Sequence, residues 1–394
     1  MSRGLPADSR VGVVGAGTMG AGIAQVAAVA GHAVYLFDVR PGAASAAVDG
    51  VVAVLARLVA KGRLTEADAD AVGQRLYPVE LLDELAGSAL VVEAIAEDLG
   101  AKQQLFGELE RICGPDTILA TNTSTISVTD IAAPLAHPER VCGMHFFNPA
   151  PVMRLVEVPA GAETDPGVAE RVAATAEQWG KTAIRCASTP GFVVNRVARP
   201  FYGEAQRMLE EGVGDCAAID AALRAAGFKL GPFELADLIG NDINLAAAES
   251  VWEQTGRDPR YEPTNAQRAL VAAGRLGRKS GAGWYDYGDG EPVRRADEAG
   301  GNPEPDAIAV RVIALLVDEA AALVDRGEAS PEAVDTAMRL GTNYPYGPLE
   351  WGDRLGAQRV VGVLEALAGV HRSGRYRVSE RLAAAARTGR SLRE

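Results

Sequence analysis

The sequence predicts a protein of the α/β class whose amino-terminal part is a doubly wound parallel sheet, followed by two all-α domains. Three observations predict this. A glycine-rich run, "VGVVGAGTMGAGIA" at 11–24, joins an apolar strand to a helix. Strands and helices then alternate over about 190 residues, which is typical of a parallel sheet. Finally, a helical stretch occurs twice in the second half.

The length of 394 residues is too great for one ordinary hydrophobic core and indicates several domains. We predict a dinucleotide-binding domain at 1–189, a helical domain at 190–288, a linker at 289–306 and a second helical domain at 307–394. The linker lies within "YGDGEPVRRADEAGGNPEPD" (287–306), which is rich in glycine, proline and charge.

The formal net charge of −13 argues against nucleic acid and anionic membranes as partners, because such a surface repels phosphate groups. The four cysteines are scattered and lack metal-binding spacing, so we expect reduced thiols, no metal site and a cytoplasmic location. Residues 11–37 carry no charge until Asp38, but six glycines make this run a poor membrane-spanning helix.

The glycine run has the spacing of a dinucleotide-binding loop. Gly15 permits a tight turn, Gly17 lets a pyrophosphate approach the backbone, and Gly20 lets the helix pack against the strand. Asp38 ends the next strand and would bind a ribose diol while repelling a 2′-phosphate, so the predicted cofactor is NAD. Arg40 keeps NADP as an alternative, and flavin binding uses the same pattern. The sequence therefore predicts a Rossmann-type domain.

Further elements extend the sheet, and polar residues follow its strands. The predicted strands are 89–95, 117–121, 140–147 and 182–187, and the predicted helices are 42–61, 99–112 and 166–179. Ligands bind at the carboxyl ends of such strands. The polar residues that we expect there are Glu93, Glu97, Asp98 and Lys102 in "VVEAIAEDLGAK", and Asn122, Thr123, Ser124 and Thr125 in "TNTSTIS". A helix N-cap for "TNTST" and a solvated helix face for Glu97 and Lys102 are the alternatives.

One histidine lies in a distinctive setting. His145 in "GMHFFNPAPVMRLVEV" precedes Glu157 by twelve residues, and Glu157 lies within an apolar run. A buried carboxylate needs a donor, and a histidine ring N–H can provide it. The other ring nitrogen could then accept a proton as a general base. The alternative is a core histidine and an unrelated surface glutamate.

The second half contains a repeat. "EAQRMLEEGVGDCAAIDAALR" from Glu204 resembles "EAAALVDRGEASPEAVDTAMR" from Glu319, and "GPFELADLIG" (231–240) resembles "GPLEWGDRLG" (347–356). The number of residues that separates the two copies is 115 in the first match and 116 in the second, so one residue is inserted between them. We expect a helical unit present twice, packed as a pseudo-dimer within one chain or used to form a homodimer.

Taken together, these motifs resemble the L-3-hydroxyacyl-CoA dehydrogenase family over nearly the whole chain. The motifs that carry the resemblance are "VGVVGAGTMGAGIA", "VVEAIAEDLGAK", "TNTSTIS", "GMHFFNPAPVMRLVEV", "TPGFVVNR", "GPFELADLIG" and "GRKSGAGWYDY". The doubled helical domain is similar to that of bacterial multifunctional fatty-acid oxidation proteins, and to stand-alone 3-hydroxyadipyl-CoA and 3-hydroxybutyryl-CoA dehydrogenases.

The resemblance implies roles for individual residues. His145 matches the general base, Glu157 its orienting carboxylate, Ser124 a contact to the substrate hydroxyl and Asn195 a contact to the substrate carbonyl. The cofactor contacts that we expect are Gly15, Gly17, Thr18, Met19, Gly20, Asp38, Glu97, Lys102, Asn122, Ser124, Asn148 and Lys279. Thr125 stands where the family usually has a second serine. Lys61 and Arg63 lie in the region of the family's coenzyme A contacts, and their match stays open.

The resemblance implies NAD-dependent oxidation of (3S)-3-hydroxyacyl-CoA to 3-oxoacyl-CoA, in fatty-acid β-oxidation, a butyrate-type pathway or phenylacetate and adipyl-CoA catabolism. An acyl-CoA thioester is then the expected partner. Two alternatives are a dehydrogenase of another class acting on short 3-hydroxy acids, and a non-catalytic NAD-binding relative. The acyl chain cannot be read from the sequence.

Overall fold

The computed structural model describes residues 4–288, 292–293 and 304–394. The chain separates into two compact units, Met1–Phe192 and Val193–Glu394. Most of the predicted linker at 289–306 lies outside the described residues.

The first unit alternates strands and helices, as the sequence predicts. Its elements are β1 (Arg10–Val14), α1 (Thr18–Val29), β2 (Ala33–Phe37), α2 (Ala43–Ala60), α3 (Glu66–Gly73), β3 (Leu76–Val79), β4 (Leu90–Glu93), α4 (Leu99–Ile112), β5 (Ile118–Thr121), α5 (Val128–Ala132), β6 (Val141–Gly143), β7 (His145–Phe146), β8 (Leu155–Ala160), α6 (Pro166–Gln178) and β9 (Thr182–Ala187).

Six of these strands form a parallel sheet in the order β3-β2-β1-β4-β5-β6. Successive side chains of a strand point to opposite faces, so each face has its own core. Val13 and Val92 pack on one face, and Val14 and Val91 on the other. The predicted Rossmann-type sheet is confirmed, and its strands all end at one edge.

The predicted strand at 140–147 is wrong as a single element. The structure ends β6 at Gly143 and starts β7 at His145, and β7 belongs to a second sheet in the order β7-β8-β9. Gly143 allows this change because a Cβ there would lie 2.2 Å from the Pro159 ring. The strand β8 was missed, since "LVEVPA" carries a glutamate and a proline.

One helix in the described part of the chain, α2, is long and apolar enough to cross a membrane by length and composition alone. It has 18 residues and a mean hydropathy of 1.8. It carries Asp49 and Arg57 and packs against α1, α3 and β3. A single helix of this kind is weak support for a membrane span.

The second unit is mainly helical. Its elements are α7 (Val194–Val197), α8 (Arg199–Glu210), α9 (Cys216–Ala225), α10 (Pro232–Ile239), α11 (Asn241–Gln254), α12 (Asn265–Ala272), β10 (Asp286–Tyr287), β11 (Pro292–Val293), α13 (Pro305–Asp325), α14 (Pro331–Gly341), α15 (Pro348–Leu355), α16 (Ala357–Val370) and α17 (Glu380–Thr388). The predicted repeat reappears as the helix series α8–α12 and α13–α17.

A buried aspartate holds the same turn in both copies of the repeat. Asp220 accepts hydrogen bonds from the backbone N–H groups of Phe233 and Glu234 at 3.0 Å each. Asp335 does the same with Leu349 and Glu350, at 2.8 and 3.1 Å. The second interval is one residue longer, which explains the shift between the two sequence matches.

The two copies also contact each other reciprocally. Glu204 of the first copy accepts from Arg311 at 2.6 Å and from Tyr376 at 2.8 Å, both in the second copy. Glu319 of the second copy accepts from Arg196 at 3.0 Å and from Tyr261 at 2.6 Å. Such an exchange of equivalent contacts is the signature of a two-fold symmetric interface.

We predict that Glu319→Ala destabilises the second unit by about 3 kcal/mol, because it removes a buried carboxylate shared by two buried arginines and leaves part of their charge uncompensated. Glu319 is fully buried and also pairs with Arg260 at 3.1 Å. Chemical denaturation followed by tryptophan fluorescence measures the change.

The control for this variant is Glu253→Ala, which removes an exposed pair with Arg257. Exposed pairs of this kind contribute less than about 0.5 kcal/mol. Equal unfolding midpoints for the two variants would contradict the importance assigned to the buried pair.

Candidate active site

The glycine loop at the end of β1 has the close packing that a dinucleotide site requires. Gly15 has a φ of +102°, and a Cβ there would lie 2.5 Å from the Ala94 carbonyl oxygen. A Cβ on Gly20 would lie 1.7 Å from the Gly15 carbonyl oxygen. A Cβ on Gly17 would meet nothing, so this backbone borders open space. The start of α1 therefore leaves room for a pyrophosphate above its N–H groups.

Asp38, directly after β2, is tied to this loop. Its carboxylate accepts hydrogen bonds from the Ala16 N–H at 2.8 Å and from the Arg40 backbone and side chain at 2.9 to 3.1 Å. The hydrogen bond from the Arg40 side chain is the main cause that lowers the pKa of Asp38 to about 2, against the opposing effect of burial. The carboxylate is therefore charged at any physiological pH and repels a second anion.

A cleft of about 610 Å³ runs along this edge of the sheet. Its lining includes Gly15, Gly17, Asp38, Arg40 and the Ala94–Ala96 turn after β4. The cleft is large enough for a nucleoside half of a dinucleotide, since ligand pockets commonly measure about 300 to 1,000 Å³. The residues present therefore fit an NAD molecule.

A buried ion pair supports the loops after β4 and β5. Lys102 is 1% exposed, and its ammonium donates to Glu93 at 2.5 Å and lies 3.4 Å from Glu97. Glu93 is fully buried at the end of β4 and also accepts from Thr121 at the end of β5, at 2.6 Å. The pair thus joins two neighbouring strand ends through α4.

Glu97 holds the "TNTST" loop in place. Its carboxylate accepts from the Thr123 hydroxyl at 2.6 Å and from the Ser124 and Thr125 N–H groups at 3.0 Å each. Burial alone would raise the pKa of Glu97, but these hydrogen bonds and the charge of Lys102 outweigh it and lower the pKa. Glu97 therefore stays ionised and fixes the backbone that carries Ser124.

His145 and Glu157 lie opposite each other on β7 and β8, which pair antiparallel in the register His145 to Glu157. His145 Nδ1 lies 2.8 Å from Glu157 Oε2, and Glu157 is fully buried. Phe147 and Phe192 flank the imidazole with ring centroids at 4.6 and 5.8 Å. In the part of the chain that is described, this bond through Nδ1 is the one hydrogen bond of the ring, so Nε2 is left to exchange a proton.

The second sheet is attached to the edge where β5 and β6 end. Asn122 follows β5, and its side-chain oxygen accepts from the Phe146 N–H at 2.8 Å. The Met144 N–H donates to the Thr121 carbonyl oxygen at 2.8 Å. These bonds place His145 directly beside the loop that carries Ser124.

The first unit thus brings many of the predicted residues to one edge of the sheet. Gly15, Gly17, Asp38, Glu97, Asn122 and Ser124 lie in the loops that follow the strands, Thr18, Met19 and Gly20 lie in the first turn of α1, and His145 and Glu157 lie on β7 and β8. Asn148 is exposed two residues after β7, and Lys61 is exposed at the end of α2.

Asn195 and Lys279 lie in the second unit, so their part in the site stays a prediction. Asn195 lies in α7, and Lys279 forms an exposed ion pair with Asp242 at 2.6 Å. Glu93 belongs to the polar strand-end residues that the sequence predicts, whereas Thr121, which donates to it, was missed as a supporting residue.

The sequence also predicts that the chain has no metal site. Among residues 4–288 and 304–394, no group of three or more His, Cys, Asp or Glu side chains has metal-binding geometry. None of the four cysteines forms a disulfide, and all four are buried.

A dinucleotide cradle and a histidine able to accept a proton lie at the same sheet edge. An alcohol oxidised by hydride transfer needs both, which places the chain among the NAD-dependent dehydrogenases. Two family models agree: "3-hydroxyacyl-CoA dehydrogenase, NAD binding domain" matches 10–189, and the C-terminal domain of that enzyme matches 191–287 and again 308–394. The chain belongs to the 3-hydroxyacyl-CoA dehydrogenase family, and the repeated helical domain is confirmed.

Some similar proteins match nearly the whole chain, and others match about 70% of it. A 3-hydroxyadipyl-CoA dehydrogenase of Escherichia coli is 41% identical over 93% of this chain and 95% of its own length. A probable 3-hydroxybutyryl-CoA dehydrogenase of Bacillus subtilis is 46% identical over 70% of this chain and 96% of its own. A solved 3-hydroxybutyryl-CoA dehydrogenase structure from Escherichia coli has a TM-score of 0.90 and 40% identity, and covers 96% of this chain and 98% of that one.

We predict that Asp38→Ala raises the Kd for NADH about 10-fold, because it removes hydrogen bonds to a charged acceptor. The Kd for NADPH falls in the same variant, since the repelling carboxylate is gone and Arg40 is released. Fluorescence titration with both nucleotides measures the change. The exposed Asp49→Ala on α2 is the control and should bind as the wild type does. An unchanged ratio of the two Kd values would contradict the role of Asp38.

Proposed function

We propose that this enzyme oxidises the 3-hydroxyl group of (3S)-3-hydroxyacyl-CoA, with His145 as the general base and Glu157 as the residue that orients it. The observation that supports these roles is the 2.8 Å contact between His145 Nδ1 and Glu157 Oε2 at the edge where the strands end. The reaction is (3S)-3-hydroxyacyl-CoA + NAD⁺ giving 3-oxoacyl-CoA + NADH + H⁺.

In the proposed mechanism, the substrate hydroxyl donates its proton to His145 Nε2 while C3 becomes a carbonyl carbon. Bound NAD supplies the acceptor for the hydride that leaves C3. Glu157 holds the Nδ1–H tautomer and stabilises the imidazolium that forms. Phe147 and Phe192 keep water away from the ring, which strengthens the interaction between the two charges.

Ser124 and Asn195 complete the proposed site. We assign to Ser124 a hydrogen bond to the substrate hydroxyl. The hydrogen bond that the Ser124 N–H donates to Glu97 fixes the position of this residue and supports the assignment. Asn195 holds the substrate carbonyl in this proposal. Glu97, Lys102 and Asn122 then act by fixing the loop that faces the nicotinamide, while Asn148 and Lys279 remain proposed cofactor contacts and Lys61 a proposed coenzyme A contact.

The acyl group is proposed as short to medium in length. Two relatives that match nearly the whole chain bear different substrate names, 3-hydroxyadipyl-CoA and 3-hydroxybutyryl-CoA. Activity with acetoacetyl-, 3-oxohexanoyl-, long-chain 3-oxoacyl- and 3-oxoadipyl-CoA in the reverse direction separates these possibilities.

We also propose that the helical domains at 190–288 and 307–394, joined by the linker at 289–306, act as a dimer-like pair within one chain. The reciprocal contacts of Glu204 and Glu319 support this arrangement. We propose a cytoplasmic location, which the absence of disulfides among the four cysteines supports.

We predict that His145→Gln lowers kcat by about 10² to 10⁴, the usual contribution of general-base catalysis. NADH binding should stay within about threefold, since the glycine loop and Asp38 are untouched. Steady-state oxidation of NADH by acetoacetyl-CoA and a fluorescence titration measure the two quantities.

The matched control is His137→Gln, an exposed histidine beside Glu139 in a loop. It should keep the wild-type rate. A near-normal kcat for His145→Gln, or an equal loss in both variants, would contradict the proposed base.

A further inference from the structure

A small polar cavity lies within the first helical copy, between α8, α11 and the residues that precede α12. Its volume is about 20 Å³, and its lining includes Arg199, Arg207, Arg260, Asn244 and Gln267. A space of this size holds one water-sized occupant, or one halide ion or carboxylate group.

The positive charge at this cavity is only partly balanced. Arg260 pairs with Asp318 at 2.7 Å and with Glu319 at 3.1 Å. Arg199 is 9% exposed and Arg207 is 8% exposed, and within the described residues neither forms an ion pair. Both donate to backbone carbonyl oxygens instead. Glu262 is the one carboxylate in the lining, and its side chain is about half exposed.

Among the residues that the structure describes, no carboxylate pairs with Arg199. Burial is the main cause that lowers the pKa of the Arg199 guanidinium. The ionisable neighbours that act on it are Tyr202 and Tyr344. Burial raises the pKa of Tyr202 to about 12 and that of Tyr344 well above its usual value, so both phenols are neutral. A buried guanidinium cannot lose its proton, so its charge is costly unless an anion accompanies it.

The second helical copy shows that the fold does not need this polar lining. Four polar positions of the lining correspond there to apolar, fully buried residues. The pairs are Arg199 and Ala314, Gln206 and Ala321, Asn244 and Val360, and Gln267 and Leu382. Arg260 and Tyr261 keep their counterparts Arg375 and Tyr376, which belong to the reciprocal interface. The polar residues are therefore specific to the first copy and are not required for helix packing.

We propose that this cavity is an anion site that takes one carboxylate-sized anion, held by Arg199 and Arg207. Two sources of such an anion are compatible with its chemistry. One is a small free anion such as formate or chloride. The other is a carboxylate at the far end of the substrate's acyl chain.

The acyl-chain source rests on the proposed function. Arg199 Nε donates to the backbone carbonyl oxygen of Asn195 at 2.8 Å. Asn195 is the residue proposed to hold the substrate carbonyl, so the cavity lies one turn of chain from that contact. A dicarboxylic acyl group of a few carbons is then the substrate class that would use the site.

Thermal unfolding of the full chain in rising formate or chloride tests the anion site without any catalysis. The wild-type Tm should rise saturably by about 2 to 4 °C relative to Arg199→Ala. The triple variant R199A/N244V/Q267L carries residues of the second copy, so it should stay folded and show no saturable rise. Arg257→Ala removes an exposed arginine on the same unit and should respond as the wild type does.

Kinetics separate the two sources. If the acyl chain supplies the carboxylate, Arg199→Ala lowers kcat/KM for 3-oxoadipyl-CoA at least 100-fold and changes that for 3-oxohexanoyl-CoA less than threefold. If only free anions use the site, Arg199→Ala changes kcat/KM equally for both substrates, while the difference in Tm between wild type and variant remains. Equal anion responses in wild type and variants, with unchanged substrate preference, would overturn the proposal. If the wild-type enzyme oxidised NADH with none of the 3-oxoacyl-CoA substrates, the proposed function itself would be contradicted.

Discussion

The site depends on one cross-strand contact, the hydrogen bond between His145 and Glu157 in the second sheet. Glu157 is fully buried, and an isolated carboxylate in that position would be strongly unfavourable. The imidazole of His145 provides a hydrogen-bond donor that offsets the cost of burying this carboxylate. The carboxylate in turn fixes the orientation of the ring. Two residues twelve apart in sequence become direct partners because β7 and β8 pair antiparallel.

That contact is useful only because the main sheet brings it to the cofactor edge. Asn122 and Thr121, at the end of β5, bind the backbone on either side of His145. The buried pair of Glu93 and Lys102 joins β4 to α4, and Glu93 also binds Thr121. Supporting residues of this kind hold catalytic groups within a fraction of an ångström of their working positions.

The sequence was sufficient for the features that follow a local rule. The glycine spacing, the position of Asp38 and the alternation of strands and helices each reflect a short-range constraint, and the structure has them. The break between β6 and β7 could not be read, because "RVCGMHFF" is largely apolar and the change of sheet depends on Pro159 lying against Gly143. The burial of Lys102 was equally hidden, since the sequence alone suits a solvated helix face.

The two helical copies show how a duplicated unit can keep its interface and change its interior. Glu204 and Glu319, with the arginine and tyrosine that bind each of them, are retained in both directions of the interface. Several interior positions differ: Arg199, Asn244 and Gln267 of the first copy correspond to Ala314, Val360 and Leu382 of the second. The interface residues are needed by both copies at once, whereas each interior is free to diverge.

The most direct test of the account is a double-mutant cycle in kcat for His145→Gln and Glu157→Gln, with active-site concentrations set by NADH titration. If the two residues act as one unit, removing Glu157 costs little once His145 is gone, and the two effects are far from additive. Fully additive effects on kcat would contradict the account, because Glu157 would then act independently of the histidine.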